Sequence, residues 1–368
     1  MNVFEIQPAT KPVNERATAP VLDIVGLSVD YGIGDGAVHA VSDVDLRVRR
    51  GEVLGIAGES GSGKSTLAYA VTRLLRDPGI IVDGEATFYS YPSNGGQPIP
   101  VDLLSADKAV VRSVRWSEIA VVFQSALNAL NPVMTIGVLI DDVLKAHKKD
   151  MSRRQRRDRA KQLLNMVGIT ADRLRSYPHE LSGGMRQRVM IALSIALNPQ
   201  LLIMDEPTTA LDVVVQREIL EQLMDLRERL GFTVVFITHD LSLLIELADT
   251  IAVMYAGKIV EKAPAKALFR APRHPYTQGL LRSFPSLHGP RVAMTGIKGS
   301  PPDLRHVPSG CSFHPRCAFA MPKCSVDTPP IMQIGGREVA CWLHDGEHDV
   351  PESLAKTGSA TTDLGARA

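Results

Sequence analysis

Nine consecutive residues, Gly58-Glu59-Ser60-Gly61-Ser62-Gly63-Lys64-Ser65-Thr66, have the types and spacing to hold a chain of phosphates. They fit G-x-x-x-x-G-K-[ST], the phosphate-binding P-loop. Glycines let the backbone curl until successive N–H groups point inward at phosphate oxygens. The helix that follows adds the positive end of its dipole. Lys64 can reach the β- and γ-phosphates, and the Ser65 hydroxyl can ligate Mg²⁺. A second constellation is the acidic pair Asp205-Glu206, at the end of the apolar run Leu201-Leu202-Ile203-Met204. This is the Walker B pattern: Asp205 to hold Mg²⁺ through water, Glu206 to polarise an attacking water as general base. Ser182-Gly183-Gly184 opens another helical run. Ser182 is a good N-cap, and the glycines leave N–H groups open to an anion. One nucleotide rarely needs two such helix starts unless two copies of a chain meet.

Three further residues carry two readings each. Tyr31, upstream of the loop, is either a ring that stacks on adenine or a half-buried strand tyrosine. Gln124 closes the apolar run Ile119–Phe123 and either touches Mg²⁺ or the attacking water, or is simply the first loop residue. His239 follows the run Thr233–Thr238 and either reaches a γ-phosphate or is structural. Asp212 reads as a helix cap.

These residues need a particular scaffold. Glu52–Ala57 reads as a buried strand into the P-loop and Thr66–Leu75 as the helix out of it. Val21–Tyr31 and Ala37–Arg49 read as strands, and residues 77–118 as a small antiparallel addition with loops. Residues 126–180 read as helical, with breaks at Pro132 and Gly168. Glu218–Leu230 is an amphipathic helix, and Ile251–Tyr255 with Lys258–Val260 a closing hairpin about Gly257. Apolar strands alternating with helices imply a mainly parallel sheet with ligands at the strands' C-terminal edge. Every candidate except the Ser182 stretch falls at such an edge. The basic run Arg153–Arg159 reads as a solvated helix face, with contact to lipid headgroups as the alternative.

The chain's 368 residues and 45% hydrophobic content suit a globular protein with a sizeable core. Its 41 Lys and Arg against 40 Asp and Glu leave a net charge of +1, without the basic excess of a nucleic-acid binder. Met1–Glu5 lacks a basic stretch leading into an apolar one, so no secretion signal is expected. The longest uncharged stretch, Val189–Met204, is split by Asn198-Pro199-Gln200 and is not a membrane span. A cytoplasmic location is expected, with any membrane attachment made through a partner.

Four cysteines stand at Cys311, Cys317, Cys324 and Cys341, none earlier in the chain. Clustering of this kind in a reducing compartment argues for a metal or cluster site over disulfides. The spacing C-x5-C-x6-C-x16-C matches neither zinc knuckles nor common ferredoxin patterns, leaving zinc, an iron–sulfur cluster and reduced thiols open. His306, His314 and His344 are nearby substitute ligands.

Taken in order, the P-loop, Gln124, Leu181-Ser182-Gly183-Gly184, Asp205-Glu206, Ala210-Leu211-Asp212 and His239 resemble an ATP-binding-cassette (ABC) ATPase across residues 21–262. The resemblance implies an α/β fold: a RecA-like parallel sheet core with an antiparallel β subdomain and an α-helical subdomain near 126–185. It makes Tyr31 the adenine-stacking aromatic, Gln124 the Q-loop, Asp212 the D-loop and His239 the switch histidine. It places Ser182–Gly184 over a partner subunit's ATP. Downstream, Arg273-His274-Pro275-Tyr276-Thr277 with Leu280-Leu281, and the segment Pro308–Cys324, resemble the C-terminal extension of oligopeptide, dipeptide and nickel importer ATPases. Ser182–Ala192 looks like the D-type subunit. After Gln124 the pattern departs, with Ser125-Ala126 in place of Asp-Pro.

Composition, polar and Pro/Ala/Thr-rich over 1–20 and rich in Ala, Thr, Ser and Gly over 347–368, suggests flexible tails, and the resemblance implies a cassette at 21–262 and a small cysteine-rich extension at 263–346. It favours a [4Fe–4S] cluster on Cys311, Cys317, Cys324 and Cys341, with zinc the alternative. It implies ATP and Mg²⁺ as ligands. The implied partners are an F-type ATPase in a heterodimer, two permeases and, indirectly, an extracellular solute-binding protein, with attachment at the cytoplasmic membrane face. Nickel or another small solute is the alternative cargo. A soluble cassette ATPase of DNA repair or translation is a different class, and so is a P-loop kinase or GTPase. The first usually carries coiled-coil inserts or tandem cassettes. The second has no use for the Leu181–Gly184 signature.

Overall fold

A computed structural model describes residues 19–92, 94–123, 130–208, 211–283 and 296–346, together with 350, 351 and 354. Gln124, Ser125 and Ala126 lie outside the described residues, as do Ala210 and most of both tails.

Strands β1 (Pro20–Tyr31) and β2 (Val38–Arg49) pair antiparallel, and β3 (Val53–Ala57) runs into the P-loop. Helix α1 (Lys64–Val71) leaves the loop. Strands β4 (Gly79–Ser90) and β5 (Ile99–Asp102) complete an antiparallel sheet ordered β2-β1-β4-β5. After α2 (Lys108–Val114) comes β6 (Ile119–Val122), then the helices α3 (Ile136–His147), α4 (Arg153–Met166) and α5 (Gly183–Ser194). The chain re-enters the second sheet as β7 (Leu201–Asp205), crosses by α6 (Val213–Leu230) to β8 (Thr233–Ile237), and passes through α7 (Leu241–Leu247) to β9 (Thr250–Tyr255) and β10 (Lys258–Pro264). Helices α8 (Ala265–Arg270) and α9 (Pro275–Arg282) follow, then the short strands β11 (Met332–Ile334) and β12 (Arg337–Val339).

The second sheet is ordered β11-β12-β10-β9-β3-β8-β7-β6, parallel from β9 through β6. Its central strands β3, β7 and β8 are buried at every position, as a sheet covered on both faces requires. The two-residue period divides their side chains. Val53, Leu202, Met204, Val234 and Phe236 enter one core with the helices, while Leu54, Ile56, Leu201, Ile203, Val235 and Ile237 enter a second core against the antiparallel sheet. The parallel ladder thus brings the C-terminal ends of β3, β7 and β8 side by side.

Local chemistry ends the helices where the sequence suggests. Asp212 caps α6, its carboxylate accepting from the Val215 N–H at 3.0 Å, and Gly231 closes it at φ +73°. Helix α6 starts five residues before the amphipathic pattern at Glu218, because the cap, not the apolar stripe, sets the first turn. Residues 171–180 form short 3₁₀ turns, Ala171–Arg175 and Pro178–Glu180, where a helix was expected.

The basic run needs correction as well. Arg159 is buried and donates to the Ala196 carbonyl and to Asn198 Oδ1 (2.8 Å), while Arg156 pairs with Asp141 at 2.6 Å. These two arginines tie α4 to its neighbours, so the run is only partly a solvated face. Among the described residues no helix is long and apolar enough to cross a membrane.

Candidate active site

Two glycines give the P-loop its shape. Gly58 (φ +152°) and Gly63 (φ +100°) carry backbone that side chains rarely adopt, and a Cβ would strike the Met254 carbonyl at the first and the Ala40 carbonyl at the second. The loop is therefore pressed between β2 and β9. Lys64 is buried and donates to the carbonyls of Gly58 and Glu59, both at 2.8 Å, and to Ser62 Oγ at 3.3 Å. Burial lowers the Lys64 pKa, and the charges of Glu206, Asp205 and Glu59 oppose that fall. Ser60, Gly61 and Ser62 form the turn between β3 and α1, and Thr66 lies in the first turn of α1.

The Walker pair meets this loop across 140 residues of sequence. The Ser65 hydroxyl donates to Asp205 Oδ1 at 2.9 Å. Asp205 is fully buried, and burial raises its pKa from the usual carboxylate value while the Ser65 hydrogen bond opposes that rise. Its second oxygen, Oδ2, has no hydrogen-bond partner among the described residues. A buried, half-satisfied carboxylate beside a serine hydroxyl is the oxygen donor set that suits Mg²⁺. The two residues therefore fit the ion.

Glu206 follows at φ +44°, a conformation unusual for a non-glycine residue. Its N–H still donates to the Ile237 carbonyl (2.9 Å), so the backbone stays tied to β8 while the side chain leaves the strand's register. Glu206 Oε1 lies 3.1 Å from His239 Nδ1, at the end of the neighbouring strand. Adjacent parallel strands have thus joined two residues that the sequence offered separately. Tyr31 stands beside the loop, its hydroxyl 3.4 Å from Thr66 Oγ1.

Ser182 caps α5, accepting from the Met185 N–H at 3.3 Å. A Cβ on Gly184 would come 2.7 Å from Val215, so this helix start packs against α6, whose own cap is Asp212. Val213 and Val214, beside that cap, are exposed.

The four cysteines line one cavity together with His274 and Phe313. The expected ligand set is not formed there: among the described residues, no group of three His, Cys, Asp or Glu side chains could hold a metal ion. Burial pushes the Cys317 thiol up to about 11 and that of Cys341 to about 12, and neighbouring cysteines add to both shifts. Of the substitute ligands, His314 lines the cavity and donates through Nδ1 to the Cys311 carbonyl (3.0 Å). His344 donates through Nε2 to the Arg273 carbonyl (2.9 Å), and His306 is not part of the lining.

Sequence reasoning assigned no role to His274, Tyr276 or Arg316. His274 is buried, accepts the Tyr276 N–H on Nδ1 at 3.1 Å, and leaves Nε2 without a partner among the described residues. The Tyr276 hydroxyl accepts the Glu59 N–H at 2.8 Å, and Arg316 grips the Glu59 carboxylate. The only available signal was a histidine–proline–tyrosine run and an arginine between two cysteines. Neither spacing points to a loop more than 200 residues upstream.

Residues 41–209 match the ABC transporter family, and residues 260–324 match the family described as oligopeptide/dipeptide transporter, C-terminal region. A putative peptide import ATP-binding protein of Brucella melitensis is 44% identical over 325 residues, covering 86% of this chain and 94% of that protein. The dipeptide transport ATP-binding protein DppD of Haemophilus influenzae is 42% identical, covering 90% and 98% respectively. Among solved structures, the ATP-binding cassette MJ0796, in a post-hydrolysis dimer bound to ADP and Pi, superposes with a TM-score of 0.56 at 29% identity. That match covers 67% of this chain and 99% of the cassette. With its P-loop and Walker pair brought together as described, the chain belongs to the ATP-binding proteins of ABC transporters and is an ATPase of that family.

Proposed function

We propose that this chain is the ATP-hydrolysing subunit of a di- and oligopeptide importer, held at the cytoplasmic membrane face by permease subunits. The observation that carries the reading is the 2.9 Å bond from Ser65 to Asp205, which joins a phosphate cradle to a metal-holding carboxylate. The names of its relatives and the match of residues 260–324 support peptide as the cargo.

On this reading the loop N–H groups and Lys64 grip the phosphates. Lys64 exchanges its loop carbonyls for phosphate oxygens. Ser65 and Asp205 would hold Mg²⁺, with Gln124, outside the described residues, as a further ligand. When bound, the ion neutralises charge on the β- and γ-phosphates. Glu206 takes a proton from the attacking water, while His239, 3.1 Å away, orients that carboxylate and reaches the γ-phosphate. ADP and phosphate then leave. Tyr31 stacks on the adenine.

Ser182, Gly183, Gly184 and Asp212 act on the nucleotide of a second ATPase, an F-type partner in a heterodimer. The exposed Val213 and Val214 beside Asp212 support an apolar contact there. Two permeases and an extracellular solute-binding protein complete the assembly.

Cys311, Cys317, Cys324 and Cys341, which share a cavity without forming a ligand set in this structure, would have to draw together to hold a [4Fe–4S] cluster, and the cluster would then pin a segment poor in regular structure. The shared cavity and His274 Nε2 at its wall, which has no partner among the described residues, support a bound group. Visible absorption, iron, sulfide and zinc of anaerobically purified protein decide this. A colourless protein with one zinc per chain refutes the cluster.

The transport reading is tested by uptake of labelled di- and tripeptides in a strain lacking this gene. Restoration by the wild-type chain and not by Glu206→Gln is expected. Restored nickel uptake with no effect on peptides would overturn peptide as cargo.

A further inference from the structure

Glu59 poses an electrostatic problem. It places a carboxylate in a loop that must receive a polyanion, close enough that its charge is felt by Lys64. An uncompensated charge there opposes triphosphate binding.

The compensation comes from the far end of the chain. Arg316 Nη1 lies 2.7 Å from Glu59 Oε2 and Nη2 lies 3.0 Å from Oε1, a two-pronged pair across 257 residues. The Arg316 side chain is only 6% exposed, which sets it apart from the surface ion pairs that contribute little. Its remaining donors are used as well: Nε donates to the Lys298 carbonyl at 3.0 Å, and Nη2 also reaches the Gly299 carbonyl at 3.3 Å. The guanidinium is thus fixed before any nucleotide arrives. A second tie holds the backbone of the same residue. The fully buried Tyr276 accepts the Glu59 N–H at 2.8 Å. Tyr276 is itself wedged among Tyr255 and Phe313, with ring centroids 4.6 and 5.3 Å away.

We infer that Arg316 and Tyr276 are positioning residues of the ATP site: the C-terminal extension pins Glu59 and cancels its charge, so that nucleotide affinity is set partly from outside the cassette. Neither residue touches the nucleotide. Arg316 acts on the potential of the cradle, and Tyr276 acts on the path of its backbone. The inference rests on the reading of Gly58–Ser65 as the ATP cradle.

The test measures binding of a fluorescent ATP analogue with Mg²⁺ to the purified full chain, alongside melting temperature. Lys64→Ala checks the underlying reading: affinity equal to wild type would show that the cradle is elsewhere. Arg316→Gln is expected to weaken binding about tenfold, the effect of one uncompensated charge at the edge of a partly desolvated site. Arg316→Lys, which keeps the charge, should lose less than about threefold. The decisive variant is Arg316→Gln with Glu59→Gln, which removes both charges. It should bring affinity back to within about threefold of wild type, which a merely structural role for Arg316 does not predict. Tyr276→Phe should weaken binding about threefold through the unpaired Glu59 N–H. Wild-type affinity in Arg316→Gln, or a double variant as weak as the single one, would overturn the inference.

Discussion

The ATP site is assembled from two regions built in different ways. On the cassette side, Asp205, Glu206 and His239 stand at or just beyond the ends of β7 and β8, and Ser65 stands in the first turn of α1 after the loop from β3; the residues of these three strands are all buried. A continuous parallel ladder fixes their spacing, and two cores grip the sheet from both faces. On the extension side, Tyr276 stands in α9 and Arg316 in a segment whose regular structure past α9, among the described residues, is limited to short 3₁₀ turns and two three-residue strands. Its own satellite core is Val339, Cys341, Leu343 and Leu354. Further apolar contact comes from Phe313, packed on Tyr255 of the cassette and on Tyr276 and His274 of the extension, and from β12 on the edge of β10. A chemical group at the end of a buried strand is held by the ladder and by both cores. Arg316 is held chiefly by its own hydrogen bonds, so the extension is the side on which single substitutions should be felt structurally.

The sharpest test of the cassette side is chemical. Glu206→Gln should lower phosphate release about a thousandfold while a fluorescent ATP analogue still binds. Undiminished turnover would remove Glu206 as the base. On the extension side the largest effect should be structural. Phe313→Ala empties a position packed on Tyr255, Tyr276 and His274, and should cost about 3 kcal/mol, seen as early proteolysis of the extension with the cassette intact. Global loss of both regions together would erase the distinction.

Acid should separate the regions next. Burial holds His274 neutral, its pKa lowered from 6.5 to about 3. The unfolded chain binds a proton in that window and the folded one does not, so this contribution is complete above pH 6.5 and is lost as pH falls toward 3. Roughly 2 kcal/mol should be gone by pH 5, and a His274→Gln variant should show a flatter profile of melting temperature against pH. Smallest of all, Ser152→Ala removes the capping box of α4 and should cost about 1 kcal/mol with no change in nucleotide affinity.

Much of this was legible beforehand, for reasons visible in particular residues. The P-loop reads directly because its glycines, lysine and serine are contiguous and each answers a local demand of backbone or phosphate. The apolar run from Leu201 to Met204 announces a strand buried on both faces, so the acidic pair after it had to lie at a sheet edge. The caps Ser182 and Asp212 were legible because a cap bonds only two or three residues ahead. The basic run misled because charge type says nothing about depth. Arg159 is buried where a helix end and a loop offer it acceptors, and no local pattern encodes that.

By itself, then, the sequence determined the strands and helices around the phosphate-binding loop, that loop and the acidic pair, since these follow from near neighbours and simple periodicities. Only the tertiary structure decided that Ser65 meets Asp205, that Glu206 meets His239 and that four cysteines share one cavity. It alone brought Arg316 to Glu59. Such pairings depend on which strands lie side by side and on where an extension can bury its few apolar residues, and those are properties of the packed chain as a whole.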